Sequence, residues 1–357
     1  MSWKWSKFIF MTQSKENILL LNTTNTAIVS LKQTTYTRIE QLMSHALAIE
    51  DPEFSSLVDM NFIVDSQQDE IRELFEDLRH DWETDDTLKI VLLGTTSCNF
   101  CCNYCYENGI DRTHHLTKQV VDIMIEYVKN LIHGGVKIRR VILLLFGGEP
   151  TLNWDTLVYA GKKLHALCAL LDISFKTDIT TNGYLLTKEK IPILKELNCD
   201  TIQITLDGPQ ITHDQRRRLK NGEGTFNQII QNMVDLLDSE CVKSIDVRIN
   251  IDRENISTIE ELLRFLSEKF PPQRLNISLG VVSKTISSSD DTNSAFSTKE
   301  SAKHICELIA LVEKYKFETP EFYSFDGICI AKSRYSFALT PDGKIYRCLS
   351  MVGREEL

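Results

Sequence analysis

The sequence predicts an α/β fold in which six β/α units form a partial barrel around a mostly parallel sheet. Short apolar segments alternate with amphipathic segments of helical length from residue 88 to residue 317. This alternation is typical of parallel strands that are connected and covered by helices. Polar, Gly-rich and Cys-rich motifs follow the ends of several predicted strands, which is where such barrels place their chemistry. We therefore predict a barrel domain over residues 86–317.

The first 85 residues are predicted to form a separate small α+β module. Its strand candidates are Lys7–Met11, Asn17–Leu21, Thr26–Leu31 and Asn61–Val64. Its helix candidates are Thr35–Leu47 and Asp69–Trp82. One apolar stripe of the second helix is formed by Ile71, Leu74, Phe75, Leu78 and Trp82. Strands combined with short helices favour a winged-helix-like module over residues 1–85.

The barrel elements are predicted from apolar runs and from helical periodicity. The strand candidates are Lys89–Gly94, Arg140–Phe146, Ser174–Thr180, Thr201–Leu206, Ser244–Ile251 and Leu275–Gly280. The helix candidates are Lys118–Leu131, Trp154–Leu171, Lys188–Leu197, Phe226–Leu237, Thr258–Phe270 and Thr298–Tyr315. The stretch Ser283–Ser294 is polar and rich in Ser and Asp, which is typical of a linker.

A cysteine-rich loop follows the first barrel strand. Cys98, Cys102 and Cys105 have the spacing C-x3-C-x2-C, and Tyr104 precedes the last cysteine. A loop can bring three thiolates to one inorganic centre, whereas a strand would point alternate residues to opposite faces. Four protein ligands close a structural metal site, and three leave one position open for chemistry. This count indicates a reactive centre.

Two other interpretations of these cysteines remain open at this point. Cys98/Cys101 and Cys102/Cys105 are two adjacent C-x2-C pairs, but the paired knuckles of a zinc site usually lie about 12–20 residues apart. Disulfides are disfavoured because a tight cluster with scattered single cysteines does not resemble a disulfide framework. Cys101 could also replace one of its neighbours as a ligand.

The composition is that of a soluble globular protein and excludes two classes of partner. The 357 residues are 42% hydrophobic and 25% charged, with a net charge of −10. That balance disfavours nucleic-acid binding, which needs a basic surface. The apolar run Val141–Phe146 is far shorter than the ~20 residues of a membrane span. We see no signal peptide and expect a cytoplasmic, reducing location.

The cysteine spacing resembles the signature of the radical S-adenosylmethionine (AdoMet) enzymes. The resemblance implies a 4Fe–4S cluster held by Cys98, Cys102 and Cys105, with Cys101 as a non-ligand. It implies that the free iron chelates the amino and carboxylate groups of AdoMet, and that Tyr104 lies near the adenine. The reduced cluster would cleave AdoMet into methionine and a 5′-deoxyadenosyl radical.

Further motifs extend the resemblance along the chain. Gly147–Pro150 is similar to the GGEP motif that binds the AdoMet amino group, and Thr181–Gly183 is similar to the TNG segment beside it. Alone, both would be turns. The residues that the resemblance assigns to AdoMet are Tyr104, Gly147, Gly148, Glu149, Pro150, Thr181, Asn182, Gly183, Thr205 and Arg217.

The segment Thr205–Arg217 resembles the S-I/L-D-G-P…H-D-x-x-R motif of the branch that matures peptides and sulfatases. In that branch the Ser position and the Arg contact AdoMet, the Arg through the AdoMet carboxylate. Thr205 keeps the hydroxyl but adds a methyl group. Arg248–Asp252 resembles the R-x-N-I/V/L-D motif of the same branch, and we assign it to the rim of the active site.

Residues 318–357 are predicted to be the start of an auxiliary domain. Cys329-x13-Gly343-x4-Cys348 resembles the opening of the SPASM extension, which implies an auxiliary iron–sulfur cluster. Phe337–Tyr346 between these cysteines indicates a hairpin with a Pro-Asp-Gly turn. The full pattern needs more cysteines, so the chain is truncated or the auxiliary site is incomplete or shared. Simple packing thiols are the alternative.

The resemblance implies an enzyme that abstracts hydrogen from a ribosomally made peptide and forms a thioether or another crosslink. Residues 1–85 would bind the leader of that peptide as an added strand, or would only pack against the barrel. A reductase such as flavodoxin or ferredoxin would supply electrons. The alternatives are an anaerobic sulfatase maturase that forms formylglycine, and a non-enzymatic iron–sulfur or zinc-binding protein.

Overall fold

The computed structural model describes residues 2–45, 48–105, 107, 109–282, 294–318 and 329–353. The chain divides into two compact units, and the boundary follows Asp85. Most of the linker-like stretch predicted at Ser283–Ser294 lies outside the described residues.

The N-terminal unit contains a three-stranded antiparallel meander, a two-stranded pair and three helices. The meander strands are β2 (Ile9–Ser14), β3 (Asn17–Asn22) and β4 (Ile28–Lys32), and the pair joins β1 (Trp3–Trp5) to β5 (Ile63–Asp65). The helices are α1 (Gln33–Leu42), α2 (Pro52–Asp59) and α3 (Glu70–Thr84).

The alternation of side chains along β3 forms the core of this unit. Ile18 and Leu20 are buried, whereas the residues between and beside them are more exposed, except Asn22 at the strand end. The two buried side chains belong to one apolar cluster with Ile39 of α1 and Phe54 of α2. Period-two burial is expected for a strand with one face on the core.

Two helices of this unit differ from the sequence prediction. The helix predicted over Thr35–Leu47 is α1, which ends at Leu42, and residues 46 and 47 lie outside the described part of the chain. The sequence prediction lacks α2. Asp51 caps this helix by accepting hydrogen bonds from two backbone N–H groups, and Pro52 occupies its first turn. The Asp-Pro pair is therefore a signal that could have placed its start.

Helix α3 carries the predicted apolar stripe, but much of the stripe faces outward. Ile71, Phe75 and Leu78 keep 45%, 67% and 44% of their surface exposed. Asp69 caps the helix by accepting a hydrogen bond from the backbone N–H of Arg72. Periodicity thus predicted the helix correctly, but it does not determine whether the stripe is buried.

The larger unit is built on an eight-stranded sheet. Its strands are β6 (Thr87–Leu93), β7 (Arg140–Phe146), β8 (Ser174–Thr181), β9 (Cys199–Thr205), β10 (Ile245–Ile251), β11 (Leu275–Val281), β12 (Phe337–Leu339) and β13 (Ile345–Tyr346). Strands β6 to β11 are parallel neighbours in chain order, which confirms the predicted partial (β/α)6 barrel. All six predicted strands are present to within two residues at each end.

The helices of this unit follow the strands. They are α4 (Lys118–His133), α5 (Trp154–Leu170), α6 (Ile191–Glu196), α7 (Gln210–Arg216), α8 (Phe226–Asp238), α9 (Ile259–Lys269) and α10 (Thr298–Lys314). Helix α7 lies inside a predicted motif but is absent from the predicted helices, and α6 begins three residues later than predicted.

The predicted hairpin near the C-terminus joins the barrel sheet. Strand β12 pairs in parallel with β6, and β13 pairs antiparallel with β12. Between them Thr340 and Asp342 close the turn through a 2.6 Å side-chain hydrogen bond. The hairpin was expected, but its place at the edge of the barrel sheet was not.

The sheet buries one face under its helices and leaves the other partly accessible. Along β7, Val141, Leu143 and Leu145 are buried in a core that also contains Leu157 of α5. The residues between them are only half-buried. Strand β10 shows the same alternation, with polar side chains at its half-buried positions. Polar groups on this inner face can therefore reach a ligand.

Among the described residues, no helix is both long and apolar enough to cross a membrane.

Candidate active site

The loop after β6 is anchored to two neighbouring segments. The backbone N–H of Leu116 donates to the carbonyl oxygen of Gly94 at 3.0 Å, which closes the base of the loop. Thr96 donates through its backbone N–H to the carbonyl oxygen of His114, also at 3.0 Å. Near its tip, the backbone N–H of Cys101 donates to the carbonyl oxygen of Arg218 at 3.1 Å. These bonds fix the cysteines at the carboxyl end of the sheet.

One cavity of about 380 Å³ lies at this end of the sheet. The predicted site residues that line it are Cys98, Cys102, Tyr104, Cys105, Gly147, Gly148, Glu149, Thr181, Asn182, Thr205 and Arg217. Motifs that lie up to 119 positions apart in the chain, from Cys98 to Arg217, thus meet in one place. Pro150 and Gly183 are not among the described lining residues, and they shape the adjoining turns.

The four clustered cysteines occupy different environments. Cys98, Cys102 and Cys105 are half-buried and line the cavity. Burial raises the pKa of Cys98 to about 12 and also raises the pKa of Cys102, so burial disfavours the thiolate form of both. Cys101 is exposed and is not among the described residues that line the cavity. Its Sγ lies 3.8 Å from the carbonyl oxygen of Arg218.

The two glycines after β7 allow the cysteine loop to approach closely. A Cβ on Gly147 would lie 2.4 Å from the carbonyl oxygen of Thr95, and one on Gly148 would lie 2.3 Å from that of Ser97. Gly147 also has a φ of 135°, which favours glycine. Two 2.9 Å backbone hydrogen bonds, to the oxygens of Thr95 and Ser97, join the segments.

Glu149 connects the ends of β7 and β8. Its carboxylate accepts hydrogen bonds from the Thr181 hydroxyl at 2.6 Å and from the Asn182 backbone N–H at 2.7 Å. The Thr151 hydroxyl and backbone N–H donate to the same carboxylate at 2.5 and 3.1 Å. Burial raises the pKa of Glu149 and the four donors oppose that change. Much of the acceptor capacity of this carboxylate is therefore used inside the protein.

A polar network holds the ring of Tyr104. Its hydroxyl is hydrogen-bonded to the carboxylate of Asp207, and Arg217 Nη1 donates to it at 2.7 Å. Burial alone would lower the pKa of Arg217, but the charges of Tyr104, Cys102 and Asp207 raise it overall. Arg217 Nε is buried and has no partner in the described part of the chain. The guanidinium is therefore fixed, charged and short of one acceptor.

Arg216 and His213 hold the adjoining helix α7. Arg216 forms two 3.0 Å hydrogen bonds with the carboxylate of Asp252, the last residue of the predicted R-x-N-I-D motif. The His213 ring accepts from the backbone N–H of Asp207 at 3.3 Å and contacts the Thr225 hydroxyl at 3.1 Å. These residues support the cavity wall without lining it.

Several lining residues were not predicted as ligand contacts. They are Phe100, Glu107, Phe146, Thr180, Gln203, Arg248, Asn250, Val281 and Val282, of which Arg248 and Asn250 were expected at the rim. Gln203 could have been found from strand alternation, because it lies two residues before Thr205 on β9. Val281 ends the last parallel strand, β11, Val282 follows it, and neither carries a polar signal.

Cys329 and Cys348 lie apart from the cavity lining. Cys329 is exposed and Cys348 is half-buried. In the described residues no three His, Cys, Asp or Glu side chains converge as they would on a single metal ion. The same is true of Cys98, Cys102 and Cys105. This arrangement does not conflict with a cubane cluster, because the cysteines of such a cluster bind different iron atoms and need not converge on one ion.

A model of the Radical SAM superfamily matches residues 92–266. Residues 92–266 form a radical SAM domain. The matched span begins in β6, includes the cysteine loop and every AdoMet motif, and ends in α9. Radical SAM domains use a 4Fe–4S cluster and AdoMet, so the prediction of a radical SAM domain with these two cofactors is confirmed.

Two curated relatives are similar to parts of this chain. The GTP 3′,8-cyclase of Nautilia profundicola is 28% identical over 280 residues, which cover 71% of this chain and 78% of the relative. The Fe-coproporphyrin III synthase of Methanosarcina barkeri is 26% identical over 182 residues, half of this chain. The chain spans 41%, 40% and 33% of the lengths of three curated relatives that it matches.

Solved structures share the fold. The structure of anSMEcpe with bound AdoMet and Kp18Cys peptide matches with a TM-score of 0.62 and 17% identity, covering 74% of this chain and 75% of that chain. Streptococcus suis SuiB bound to S-adenosylmethionine matches with a TM-score of 0.55 and 17% identity, covering 99% and 84%. SuiB has also been crystallised with its precursor peptide SuiA. At these identities the likeness shows the fold.

The lining residues fit the cofactors of a radical SAM domain. Three half-buried thiols face one cavity, as a cluster with one open iron requires. The unpartnered Nε of Arg217 is a donor for a carboxylate, and such orphaned buried donors are rare without a ligand. The close approach at Gly147 and Gly148 brings the β7 turn against the cysteine loop.

Proposed function

We propose that this chain abstracts hydrogen from a ribosomally made peptide and forms a thioether or another crosslink in it. The observation that carries the proposal is the convergence of the cysteine loop, the β7 turn and the Thr205–Arg217 segment on one partly open cavity. The fold likeness to SuiB, which was crystallised with a precursor peptide and covers 99% of this chain, supports a peptide substrate.

Each cofactor would be held by named residues. Cys98, Cys102 and Cys105 would ligate the cluster. The β7 turn, through backbone carbonyls of Gly147 and Gly148, would accept from the AdoMet ammonium. When bound, the cluster and AdoMet together supply the hydrogen-abstracting radical.

The protein side chains would orient AdoMet and exclude water from the cavity. Arg217 would donate to the AdoMet carboxylate, and its position is set by the Tyr104 hydroxyl at 2.7 Å. Thr205 is buried on the same wall and offers a hydroxyl. Val281 and Val282 provide an apolar edge that excludes water from a reactive carbon centre.

The N-terminal unit would bind the leader of the peptide. Strand β2 is an edge of the three-stranded meander, and its residues from Phe10 to Ser14 are exposed. An exposed edge can accept an extended peptide as a further strand. Deleting residues 2–85 should preserve AdoMet cleavage while modification of a leader-bearing peptide falls. Unchanged modification would assign the unit a purely structural role.

Two further roles complete the proposal. Cys329 and Cys348 would be ligands of an auxiliary iron–sulfur cluster, which predicts a higher iron content than four per chain. A flavodoxin or ferredoxin reductase system would reduce the main cluster. Iron analysis of Cys348→Ala against wild type, after anaerobic reconstitution, checks the first role.

The direct test of the site compares four cysteine variants. Cys98→Ala, Cys102→Ala and Cys105→Ala should lose the main cluster and AdoMet cleavage with dithionite, whereas the adjacent Cys101→Ala should keep both. Iron content and 5′-deoxyadenosine are measured under anaerobic conditions. Loss of activity in Cys101→Ala together with retention in Cys102→Ala would reverse the ligand assignment.

A second candidate is a nucleotide substrate. The GTP 3′,8-cyclase of Nautilia profundicola covers 71% of this chain, which favours a test with GTP. Only Arg217 and Arg248 are cationic among the described lining residues, however, and a triphosphate carries several negative charges. Consumption of GTP coupled to 5′-deoxyadenosine formation would replace the peptide proposal. An aldehyde in a Cys- or Ser-containing peptide would instead favour the sulfatase-maturase alternative.

A further inference from the structure

Arg216, Arg217 and Arg248 lie at or beside the candidate active site and differ in their neighbours. Arg216 is buried and bonded to the carboxylate of Asp252 at 3.0 Å. Arg217 is buried, and the negative charge of Asp207 favours its charged form. Arg248 forms no ion pair with any residue that the structure describes. Of these three, only Arg216 forms ion pairs with carboxylates of the described residues; Arg217 donates to the Tyr104 hydroxyl that is bonded to Asp207, whereas Arg248 donates to Asn250 and Ser278.

The guanidinium of Arg248 is held by neutral groups only. Its Nε donates to Asn250 Oδ1 at 3.1 Å, and its Nη1 donates to the Ser278 hydroxyl at 3.3 Å. Burial lowers the pKa of Arg248, and the electrostatic effects of Asp207 and Tyr104, which raise it, do not offset that change. A half-buried cation that forms no ion pair in the described part of the chain is costly, and such groups are found at functional sites.

The sheet makes room for this guanidinium at one glycine. Gly280 on β11 is the register partner of Asn250 on β10. A Cβ on Gly280 would lie 1.7 Å from Nη2 of Arg248 and 2.1 Å from its Cζ. The guanidinium therefore occupies the space that a side chain at residue 280 would fill, and any such side chain would move it. The absence of a side chain at Gly280 thus determines where the positive charge of Arg248 lies.

Arg248 and Arg217 line the same cavity from different segments of the chain. Asp207 and Tyr104 act on the pKa of both guanidinium groups, whereas Cys98 and Cys102 lie within the electrostatic reach of Arg217. Strand register pairs Arg248 with Thr205 on β9 and with Ser278 on β11, on the partly accessible inner face. Arg217 already offers a free Nε donor beside the cysteines. Arg248 is thus available for a second ligand group.

We propose that Arg248 binds one carboxylate group of the peptide substrate and thereby selects acidic peptides. The inference rests on the proposed peptide-modifying function. One guanidinium matches one carboxylate in charge and can bond it with two parallel N–H donors. A triphosphate would leave most of its charge unbalanced here, because the described lining offers only two cations. The carboxylate comes from an Asp or Glu side chain or from a peptide C-terminus.

The probe is a set of three synthetic pentapeptides. Acetyl-Ala-Ala-Glu-Ala-Ala-amide carries one side-chain carboxylate, and the Gln analogue carries none. The third peptide is the Gln analogue with a free C-terminal carboxylate, which separates the two carboxylate sources. Dissociation constants are measured by ligand-observed NMR on the reconstituted holoenzyme with AdoMet and without reductant. The measurement needs no turnover, so it succeeds or fails independently of the AdoMet cleavage assays.

We expect wild type to bind at least one carboxylate peptide about tenfold more tightly than the neutral one, as a charge-assisted bond predicts. Arg248→Gln should remove the preference, and Arg248→Lys should keep part of it because the charge remains. Gly280→Ala should reduce it severalfold while leaving Arg248 in the chain. The preference is a ratio within one variant, so a general loss of folded protein does not change it.

Four results would overturn the proposal. One is equal affinity of wild type for all three peptides. Another is a preference that survives in Arg248→Gln. The third is a loss of AdoMet affinity in Arg248→Gln that exceeds the loss of carboxylate preference, which would assign the residue to the cofactor. Displacement of the Glu peptide by GTP at lower concentration than by free glutamate would assign it to phosphate.

Discussion

Replacing Gly148 by Ala should displace the cysteine loop without changing any polar group. The added Cβ would lie 2.3 Å from the Ser97 carbonyl oxygen and 2.8 Å from that of Thr96. Carbon and carbonyl oxygen ordinarily approach to about 3.3 Å, so the loop must move by roughly 1 Å. The contact is with backbone on the loop side, and no side-chain rotation can relieve it.

The cost of this substitution follows from two effects. Forced repacking costs about 1–3 kcal/mol, and loss of the two 2.9 Å backbone hydrogen bonds to Thr95 and Ser97 adds about 0.5–1.5 kcal/mol each. We therefore expect Gly148→Ala to lower the free energy of unfolding by about 2–6 kcal/mol. A displacement of about 1 Å at the cluster loop should reduce AdoMet cleavage about 100-fold.

A second glycine provides the matched control. Gly135 has a φ of 90° and nothing within 4 Å of a built Cβ. Gly135→Ala should therefore cost only the backbone strain of about 1–2 kcal/mol and keep AdoMet cleavage. Chemical denaturation, iron content and 5′-deoxyadenosine yield are compared for both variants. Equal stability of the two variants, with wild-type cleavage by Gly148→Ala, would refute the close-approach argument.

Three further predictions concern the walls of the cavity. Arg216→Ala should lower the free energy of unfolding by about 3–5 kcal/mol in a denaturant titration, because it leaves the buried carboxylate of Asp252 without its partner. Glu254→Ala removes an exposed partner of Arg216 and should lower it by about 1 kcal/mol or less. Burial lowers the pKa of His213, so its neutral form stabilises the fold above pH about 6.5, and this contribution is lost as the pH falls. The difference in unfolding free energy between wild type and His213→Gln should therefore shrink from pH 7 to pH 5. A constant difference would contradict the assignment. Tyr104→Phe removes the hydroxyl that positions Arg217. It should raise the KM for AdoMet about tenfold and leave the iron content unchanged. An unchanged KM would show that the hydroxyl has no positioning role.

The barrel could be predicted from sequence because its strands are short apolar runs between clear turn signals. Arg140–Phe146 and Leu275–Val281 are bounded within one residue of the prediction, since burial of alternate residues imposes their composition. Helix α2 was missed because eight residues give too little periodicity, although its Asp-Pro start was visible. Strand β12 was foreseen as part of a hairpin, but its pairing with β6 depends on a contact between distant segments.

The site was predictable in its motifs but not in its electrostatics. The cysteine spacing and the glycines of the β7 turn identify positions that meet in one cavity. The sequence does not reveal that the Glu149 carboxylate accepts four hydrogen bonds within the protein. Thr151 is close to it in the chain, but Thr181 is brought to it only by the fold. The sequence also does not reveal that Arg216 is neutralised while Arg248 is not, since that difference depends on which strands bring carboxylates close.

The central claim is hydrogen abstraction from a peptide, and isotope transfer tests it most directly. Candidate peptides carrying deuterium at α and β carbons are incubated with the reduced holoenzyme, and 5′-deoxyadenosine is analysed by mass spectrometry. We predict deuterium in 5′-deoxyadenosine together with a peptide product that has lost two hydrogen atoms. Deuterium transfer from a labelled small molecule such as GTP, with all peptides unchanged, would contradict the account.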